Sequence, residues 1–418
     1  MPNPYGLNPQ RPVVVYGLGA SGRVAALALA GMGIPVWACD DSAETLPPEL
    51  AANPLIAHKT PVEADWPNIQ LLLKAPGIAM NKPLVQAALA QNIAVLGETD
   101  LLWQREQNSG AVWLGITGTN GKSTTTALVG HVLRTAGKRV AVGGNIGTPA
   151  LALPSLEAGG FYVLELSSYQ LEMLHNMAAD GAVFLNLTPD HLERHGDMET
   201  YRDVKLKLLT TAKPDATRVL GTDQPIMREA AAQIAGAKTL GTLGQPANFS
   251  AHDSAIWQGK KRVLELADFP NLPGPHNAQN IMAALALLVP RWLSLEQFKA
   301  GVQSFKGLPH RLEKVAVLQG VTFINDSKAT NGDSAVFALQ SYPHIYWICG
   351  GRPKTDGLGA CVNHLGAVRA AFTMGEAGQD FAQILKAKGV AAFESHTMNR
   401  AVADAFNAAR TEGLSDAV

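Results

Sequence analysis

The run Gly115-Ile116-Thr117-Gly118-Thr119-Asn120-Gly121-Lys122-Ser123 has the makings of a phosphate cradle. Glycines let backbone N–H groups come close to phosphate oxygens, and a helix N-terminus behind them adds partial positive charge. Lys122 would neutralise β/γ-phosphate charge, and Ser123 would place its hydroxyl on Mg²⁺. The strict spacing of such loops requires glycine where this chain has Ile116, so the run is a variant with Gly118 nearer the lysine. A chance Gly/Thr-rich turn is the alternative, and Gly-Lys-Ser between a strand and a helix argues against it.

A second glycine turn, Gly17-Leu18-Gly19-Ala20-Ser21-Gly22, satisfies G-x-G-x-x-G after an apolar strand. Asp40 ends the next strand, near the spacing of a ribose-binding acid. Alone the turn would suggest NAD, or a tight turn needing glycine only for packing. A nicotinamide role leaves the lysine-bearing loop unexplained, so a nucleotide-linked substrate is the better reading.

Other polar residues follow strands where α/β sheets collect function. Glu165 ends Phe161–Leu166, Asp190-His191 follows Ala182–Leu187, and Asn145 lies in Gly143-Gly144-Asn145-Ile146-Gly147. Mg²⁺ takes hard oxygen ligands, which Glu165 and Ser123 supply. His191 would reach a second ion or a substrate carboxylate. Taken singly, Asp190 reads equally as a helix cap, His191 as a structural histidine and Glu165 as a surface carboxylate.

The elements that must position these residues alternate. Pro12–Tyr16, Ile34–Ala38, Ile69–Leu73 and Ile93–Leu96 read as strands, with helical stretches at Ala20–Met32 and Pro83–Gln91. This βαβ order implies a parallel sheet. Further on come strands at Ala111–Thr117, Lys138–Val142, Phe161–Leu166, Ala182–Leu187 and Arg218–Leu220. Helices are expected at Ser123–Ala136, Tyr201–Ala212 and Ala278–Leu288, and a short hairpin at Ile256–Leu266. Past Leu308, a hairpin turns at Gln319-Gly320. Strands at Ile345–Cys349, Ala370–Met374 and Val390–Phe393 then alternate with helices around Leu358–Leu365, up to Lys388 and at Asn399–Arg410, and Ala417-Val418 would open another strand.

The 418 residues correspond to about three domains at ~150 residues each. Lys plus Arg number 34 against 35 Asp plus Glu, a net charge of −1 that supports no nucleic-acid or polybasic membrane surface. Cys39, Cys349 and Cys361 are scattered, which argues against a disulfide scaffold or zinc ribbon and fits a reducing cytosol. Val24–Cys39 is uncharged but interrupted by Gly31, Gly33 and Pro35, too broken to span a bilayer.

Several segments occur together in order: G-I-T-G-T-N-G-K-S, G-G-N-I-G (143–147), Y-V-L-E-L-S-S-Y-Q-L-E (162–172), D-H (190–191), G-P-H-N-A-Q-N (274–280), L-P-H-R-L-E (308–313) and N-D-S-K-A-T-N (325–331). Across essentially the whole chain this resembles the Mur ligase family of bacterial cell-wall synthesis, and N-D-S-K-A-T-N is most like its D-glutamate-adding branch. The resemblance implies an α/β fold of three domains. They are a Rossmann-like UDP-substrate domain (1–98), a central P-loop ATPase domain with a mostly parallel sheet (99–307) and a Rossmann-like C-terminal domain that binds the amino acid (308–418). In the family a further strand–helix unit follows the position of Val418, so the third domain is expected to be cut short here. The implied reaction adds D-glutamate to UDP-N-acetylmuramoyl-L-alanine through an acyl phosphate, with ATP as co-substrate and a pair of Mg²⁺ ions, in a cytoplasmic monomer with no nucleic-acid or membrane partner. Other Mur-type or folylpolyglutamate-type ligases, or a chain that binds these ligands without turnover, are the alternatives.

The resemblance also assigns residues. ATP is implied at Gly118, Thr119, Asn120, Gly121, Lys122, Ser123, Thr124, Asn280, Arg311 and Asp326. The UDP-linked substrate and D-glutamate are implied at Leu18, Ala20, Ser21, Asp40, Gly77, Asn145, His191, Lys328, Thr330 and Lys354. Metal falls to Ser123, Glu165, His191 and Lys205, and catalysis to Lys122, Asn145, His191 and Lys205. Lys205 would serve as a carbamate, because an ammonium cannot ligate Mg²⁺; by its own context it reads as an ordinary helix lysine.

Overall fold

The computed structural model describes residues 5–242, 244, 246–353, 357–414 and 416–418. Two compact units result: Met1–Leu264 with Gln279–Ser304, and Glu265–Ala278 with Phe305–Val418.

The first unit holds two sheets. Five parallel strands are ordered Ile56–His58, Val36–Cys39, Val13–Tyr16, Leu71–Lys74, Val95–Leu96. Parallel strands are covered on both faces, so they read as unbroken apolar runs; Val13–Tyr16 and Leu71–Lys74 are buried throughout. The edge strand Ile56–His58 was not expected from sequence. Two of its three residues are exposed, which leaves no apolar run to read.

The second sheet has nine strands. Val112–Thr117 lies between Gly181–Phe184 and Phe161–Glu165, and Val140–Gly144 forms the edge beyond Phe161–Glu165. On the other side follow Thr217–Gly221, Lys238–Gly241, Phe249–His252, Ala255–Gln258 and Lys261–Glu265. The expected hairpin at Ile256–Leu266 is thus the end of a longer meander. The strand order reverses beside Val112–Thr117, the kind of switch point where α/β sheets open a ligand crevice. One core runs under both sheets, from Val13 and Leu73 through Trp113, Tyr162 and Phe184 to Leu220, with Trp113 stacked on Tyr162 at 4.4 Å.

The second unit contains the hairpin Glu313–Leu318/Val321–Asn325 and a parallel sheet ordered Ile345–Gly350, Val368–Met374, Ala391–His396. Gln319 and Gly320 both take positive φ, 49° and 87°, as a two-residue hairpin turn requires. In place of the helix expected around Leu358–Leu365 stands a short 3₁₀ turn, Gly359–Asn363. The positive φ of Gly357 and Gly359 is incompatible with a continuing α-helix there. Ala417 makes a parallel bridge to His344, and the Tyr346 N–H donates to the Val418 carbonyl at 2.8 Å, as expected for a strand opening at these residues. Among the described residues no helix is long and apolar enough to cross a membrane.

Candidate functional site

The phosphate loop leaves Val112–Thr117 and enters the helix Lys122–Thr135. Gly121 caps this helix in the left-handed region at φ 81° and brings no capping side chain. A Cβ there would lie 2.5 Å from Asn280 Oδ1, so only glycine fits both the angle and the space. Asn186 shapes the loop from the neighbouring strand end. Its Oδ1 accepts from Asn120 N–H at 2.8 Å, and its Nδ2 donates to the Asn120 carbonyl at 3.2 Å and to Gln279 Oε1 at 2.9 Å. Asn280 Oδ1 accepts from the Thr125 hydroxyl at 3.0 Å, tying the helix Pro275–Leu288 to the loop helix. Lys122 Nζ curls back onto the Thr119 carbonyl at 2.8 Å. Ser123 and Thr124 stand in the first turn of the loop helix.

Beside the loop, Glu165 ends Phe161–Glu165 and is 1% exposed. Its Oε1 accepts from Asn145 Nδ2 at 2.7 Å, while Oε2 is buried with no hydrogen-bond partner. A buried carboxylate oxygen without a donor is costly unless a cation or water completes it, and hard oxygen is what Mg²⁺ prefers. Lys205, in the helix Met198–Thr210, is also 1% exposed, and its Nζ donates to the Gly118 carbonyl at 2.8 Å. Burial, and then repulsion from Lys122, holds its pKa well below the usual lysine range. A neutral amine is nucleophilic toward carbon dioxide where an ammonium is not, so the site fits carbamate formation. Among the described residues no group of three or more His, Cys, Asp and Glu forms a ready-made cage. To hold a metal, the expected set of Ser123, Glu165, His191 and Lys205 would need further oxygen ligands, such as a carbamate on Lys205.

His191 takes a left-handed conformation, φ 53°, at the start of the helix Leu192–His195. Its Nδ1 lies 3.1 Å from the Tyr169 hydroxyl. Tyr169 belongs to the helix Ser168–Glu172, whose cap Ser167 forms a reciprocal box with Gln170.

A cleft of about 570 Å³ joins the two glycine turns. Lys122, Asn145, His191 and Lys205 line it from one side, and Ala20, Ser21, Asp40 and Gly77 from the other. Leu18 is buried and, like Glu165, is not among the lining residues. Gly22 packs its helix onto the strand so closely that a Cβ would sit 1.8 Å from the Gly17 carbonyl oxygen. Asp40 works on its own chain: Oδ2 accepts from Leu18 N–H at 2.6 Å, and Oδ1 from Ser42 N–H and hydroxyl at 2.9 and 2.7 Å. Burial pushes the Asp40 pKa up, but these hydrogen bonds outweigh it and hold the carboxyl below its ordinary value.

The remaining expected residues belong to the second unit. Asp326 accepts from Leu312 N–H at 3.0 Å, and burial raises its pKa to about 6. Lys328 and Thr330 are exposed in the same loop, and the Lys328 N–H donates to the His310 carbonyl at 3.0 Å. Arg311 sits between His310 and Leu312, both at positive φ. Lys354 lies outside the described residues.

Sequence reasoning did not single out Asn186, nor Ser167, Ser168, Tyr169, Ile78 and Tyr201 of the cleft wall. Tyr201 had a usable signal: it precedes Lys205 by one helical turn, hence shares its face, and Lys205 Nζ lies 4.8 Å from its ring centre. Burial pushes the Tyr201 hydroxyl up to about 12, so it keeps its proton at neutral pH.

Residues 116–288 match the Mur ligase middle domain family. Over 405 residues the chain is 38% identical to the UDP-N-acetylmuramoylalanine–D-glutamate ligase of Zymomonas mobilis, covering 93% of this chain and 87% of the relative. It is 40% identical to the enzyme of that name from Rhodospirillum rubrum, with 97% and 88% covered. The crystal structure of the UDP-N-acetylmuramate-alanine ligase of Thermotoga maritima superposes with a TM-score of 0.61 at 20% identity, covering 98% of this chain and 94% of that one, which speaks for the fold. At these identities and coverages the chain belongs to the Mur ligase family, among its UDP-N-acetylmuramoylalanine–D-glutamate ligases.

Proposed function

We propose that this chain joins D-glutamate to UDP-N-acetylmuramoyl-L-alanine, with ATP converted to ADP and phosphate. The observation that carries the reading is the single cleft shared by the lysine-bearing phosphate loop and the lysine-free glycine turn. One nucleotide would bring phosphoryl potential and the other would anchor the acceptor.

A carboxylate is a poor electrophile, so the alanine carboxylate first attacks the γ-phosphorus of ATP, and ADP leaves with the bridging oxygen. The amine of D-glutamate then attacks the acyl carbon. One ammonium proton passes to solvent before the attack and a second leaves the nitrogen of the adduct, so that collapse of the tetrahedral intermediate expels phosphate and leaves the amide. Lys122 neutralises charge on the transferring phosphoryl group. Asn145, fixed by Glu165, presents its amide to the cleft. His191, held by Tyr169 in the cleft wall, would face the substrate carboxylate. Catalysis is then mainly positioning and charge neutralisation. Mg²⁺ would be held by Ser123, Glu165, His191 and a carbamate on Lys205, and when bound it supplies positive charge to the phosphate oxygens. Asn280, Arg311 and Asp326 would contact ATP. Lys328, Thr330 and Lys354 would hold D-glutamate, whose two carboxylates suit a lysine. We also propose the division into 1–98, 99–307 and 308–418, and a cytoplasmic setting in keeping with ATP and a UDP-linked substrate.

The test is phosphate release by the purified chain with UDP-N-acetylmuramoyl-L-alanine and each candidate amino acid in turn. Release with D-glutamate alone is expected. Release that depends instead on L-alanine or a diamino acid overturns the assignment.

A further inference from the structure

The loop Ala75-Pro76-Gly77-Ile78 lines the cleft that also contains Ser168, Tyr169 and His191. Its last carbonyl receives two cationic donors: Lys74 Nζ at 2.5 Å and Arg194 Nη2 at 2.9 Å. Lys74 Nζ also lies 3.3 Å from the Ala75 carbonyl. Arg194 is gripped by Glu172, with Nε–Oε1 at 2.9 Å and Nη2–Oε2 at 2.6 Å. Such a two-point pairing fixes the plane of the guanidinium as well as its position.

This contact is not a surface ion pair. The Arg194 and Glu172 side chains are 14% and 13% exposed, and Lys74 is 1% exposed. Burial, then the charge of Arg194, lowers the Lys74 pKa to about 8, with Glu172 acting in the opposite sense. Three segments meet in this grip, Glu172 reaching the Ile78 carbonyl only through Arg194. The loop itself follows the strand Leu71–Lys74, Glu172 ends the helix that begins at Ser168, and Arg194 sits in the helix that follows His191. Arg194 also lies 5.3 Å from the ring centre of Tyr169, the residue that holds His191.

We propose that Arg194 is a positioning residue: held by Glu172, it fixes the Ala75–Ile78 loop against the His191 segment, and Lys74 completes the grip from the loop's own strand. A nucleotide-linked substrate lying on that loop is thereby registered against His191. The inference rests on reading the cleft as the site of the UDP-linked substrate. Loosening the grip would disturb that substrate and leave the phosphate loop, which makes none of these contacts, intact.

The test uses the full chain carrying Arg194→Met, Arg194→Lys, Glu172→Gln or Lys74→Met. Calorimetric binding of UDP-N-acetylmuramoyl-L-alanine is read beside KM for each substrate, kcat and Tm. Arg194→Met is expected to raise KM for the UDP-linked substrate about ten-fold while KM for ATP stays within about two-fold. Arg194→Lys keeps the charge and loses the fork, so it recovers only part of the loss. Arg194→Met with Lys74→Met is expected to cost less than the sum of the two, because both cations share one acceptor. If Arg194→Met does not fold, Arg194→Lys and Glu172→Gln carry the same comparison. Equal effects on both KM values, or an effect on neither, overturn the proposal. Failure of the unmutated chain to bind the UDP-linked substrate overturns the reading of the cleft, and this inference with it.

Discussion

The two glycine turns use the same backbone device and different charges. Each leaves the end of a buried parallel strand and opens a helix whose cap is a glycine without a capping side chain. At Gly17–Gly22 a carboxylate, Asp40, takes up the Leu18 N–H. At Gly115–Ser123 the loop is shaped by a neutral amide, Asn186, and carries Lys122, with Lys205 buried behind Gly118. A sugar-nucleotide diphosphate that only has to be held needs shape and the modest field of a helix end. A γ-phosphate that changes its bonding needs fixed positive charge where charge moves. On the proposed reading both glycine turns hold phosphate, and the cations around each decide between holding and reacting.

The strongest way to break this division is Lys122→Ala. Turnover should fall about a thousand-fold or more, while calorimetric affinity for the UDP-linked substrate stays within about two-fold. Loss of both would mean that the turns are not separate sites. Next in size is Lys205. In buffer stripped of carbon dioxide the unmutated chain should lose activity and regain it on adding bicarbonate. Lys205→Ala should sit about a hundred-fold down and ignore bicarbonate; a variant that still responds would place the carbamate elsewhere.

Paired alanine substitutions sharpen the comparison further. Gly121→Ala forces a left-handed position and crowds Asn280, whereas Gly22→Ala drives a Cβ into the Gly17 carbonyl. The cost is about 1–2 kcal/mol, roughly ten-fold, from the left-handed φ at Gly121, and larger at Gly22, where the clash is with backbone. It should appear in KM for ATP in the first variant and in KM for the UDP-linked substrate in the second. Crossed effects would contradict the assignment. The smallest effect is that of Asp40→Asn, about 1 kcal/mol of stability at neutral pH. The folded pKa of Asp40 is depressed, so its contribution is present above the unfolded carboxylate value of about 3.9 and is lost as pH falls through the lower folded value. Urea midpoints of wild type and variant should therefore converge in acid; a gap independent of pH would assign the effect to shape.

What could be read before the structure follows the same physics. Val13–Tyr16 and Leu71–Lys74 are buried on both faces and announced themselves as apolar runs, off by a residue or two at their ends. Ile56–His58, exposed along an edge, did not. Gly-Lys-Ser is local, so the phosphate loop was legible from its neighbours in sequence. Asn186 shapes that loop from 66 residues away, and no local pattern marks it. Lys205 is a polar residue in a polar helix and became visible as a buried amine only once Gly118 and Tyr201 were seen around it. The Ile78 carbonyl shows the limit most plainly: one donor, Lys74, is four residues away, the other, Arg194, is 116 residues away, and a backbone acceptor has no signature in sequence.

Amide formation through an acyl phosphate leaves an isotopic record in the released phosphate. UDP-N-acetylmuramoyl-L-alanine with both alanine carboxylate oxygens enriched in the heavy isotope is turned over with ATP and D-glutamate, and the released phosphate is weighed by mass spectrometry. One heavy oxygen is expected in each phosphate, since a carboxylate oxygen stays bonded to phosphorus when the amine displaces it. Unlabelled phosphate would mean that water attacks ATP directly, and would exclude the acyl phosphate.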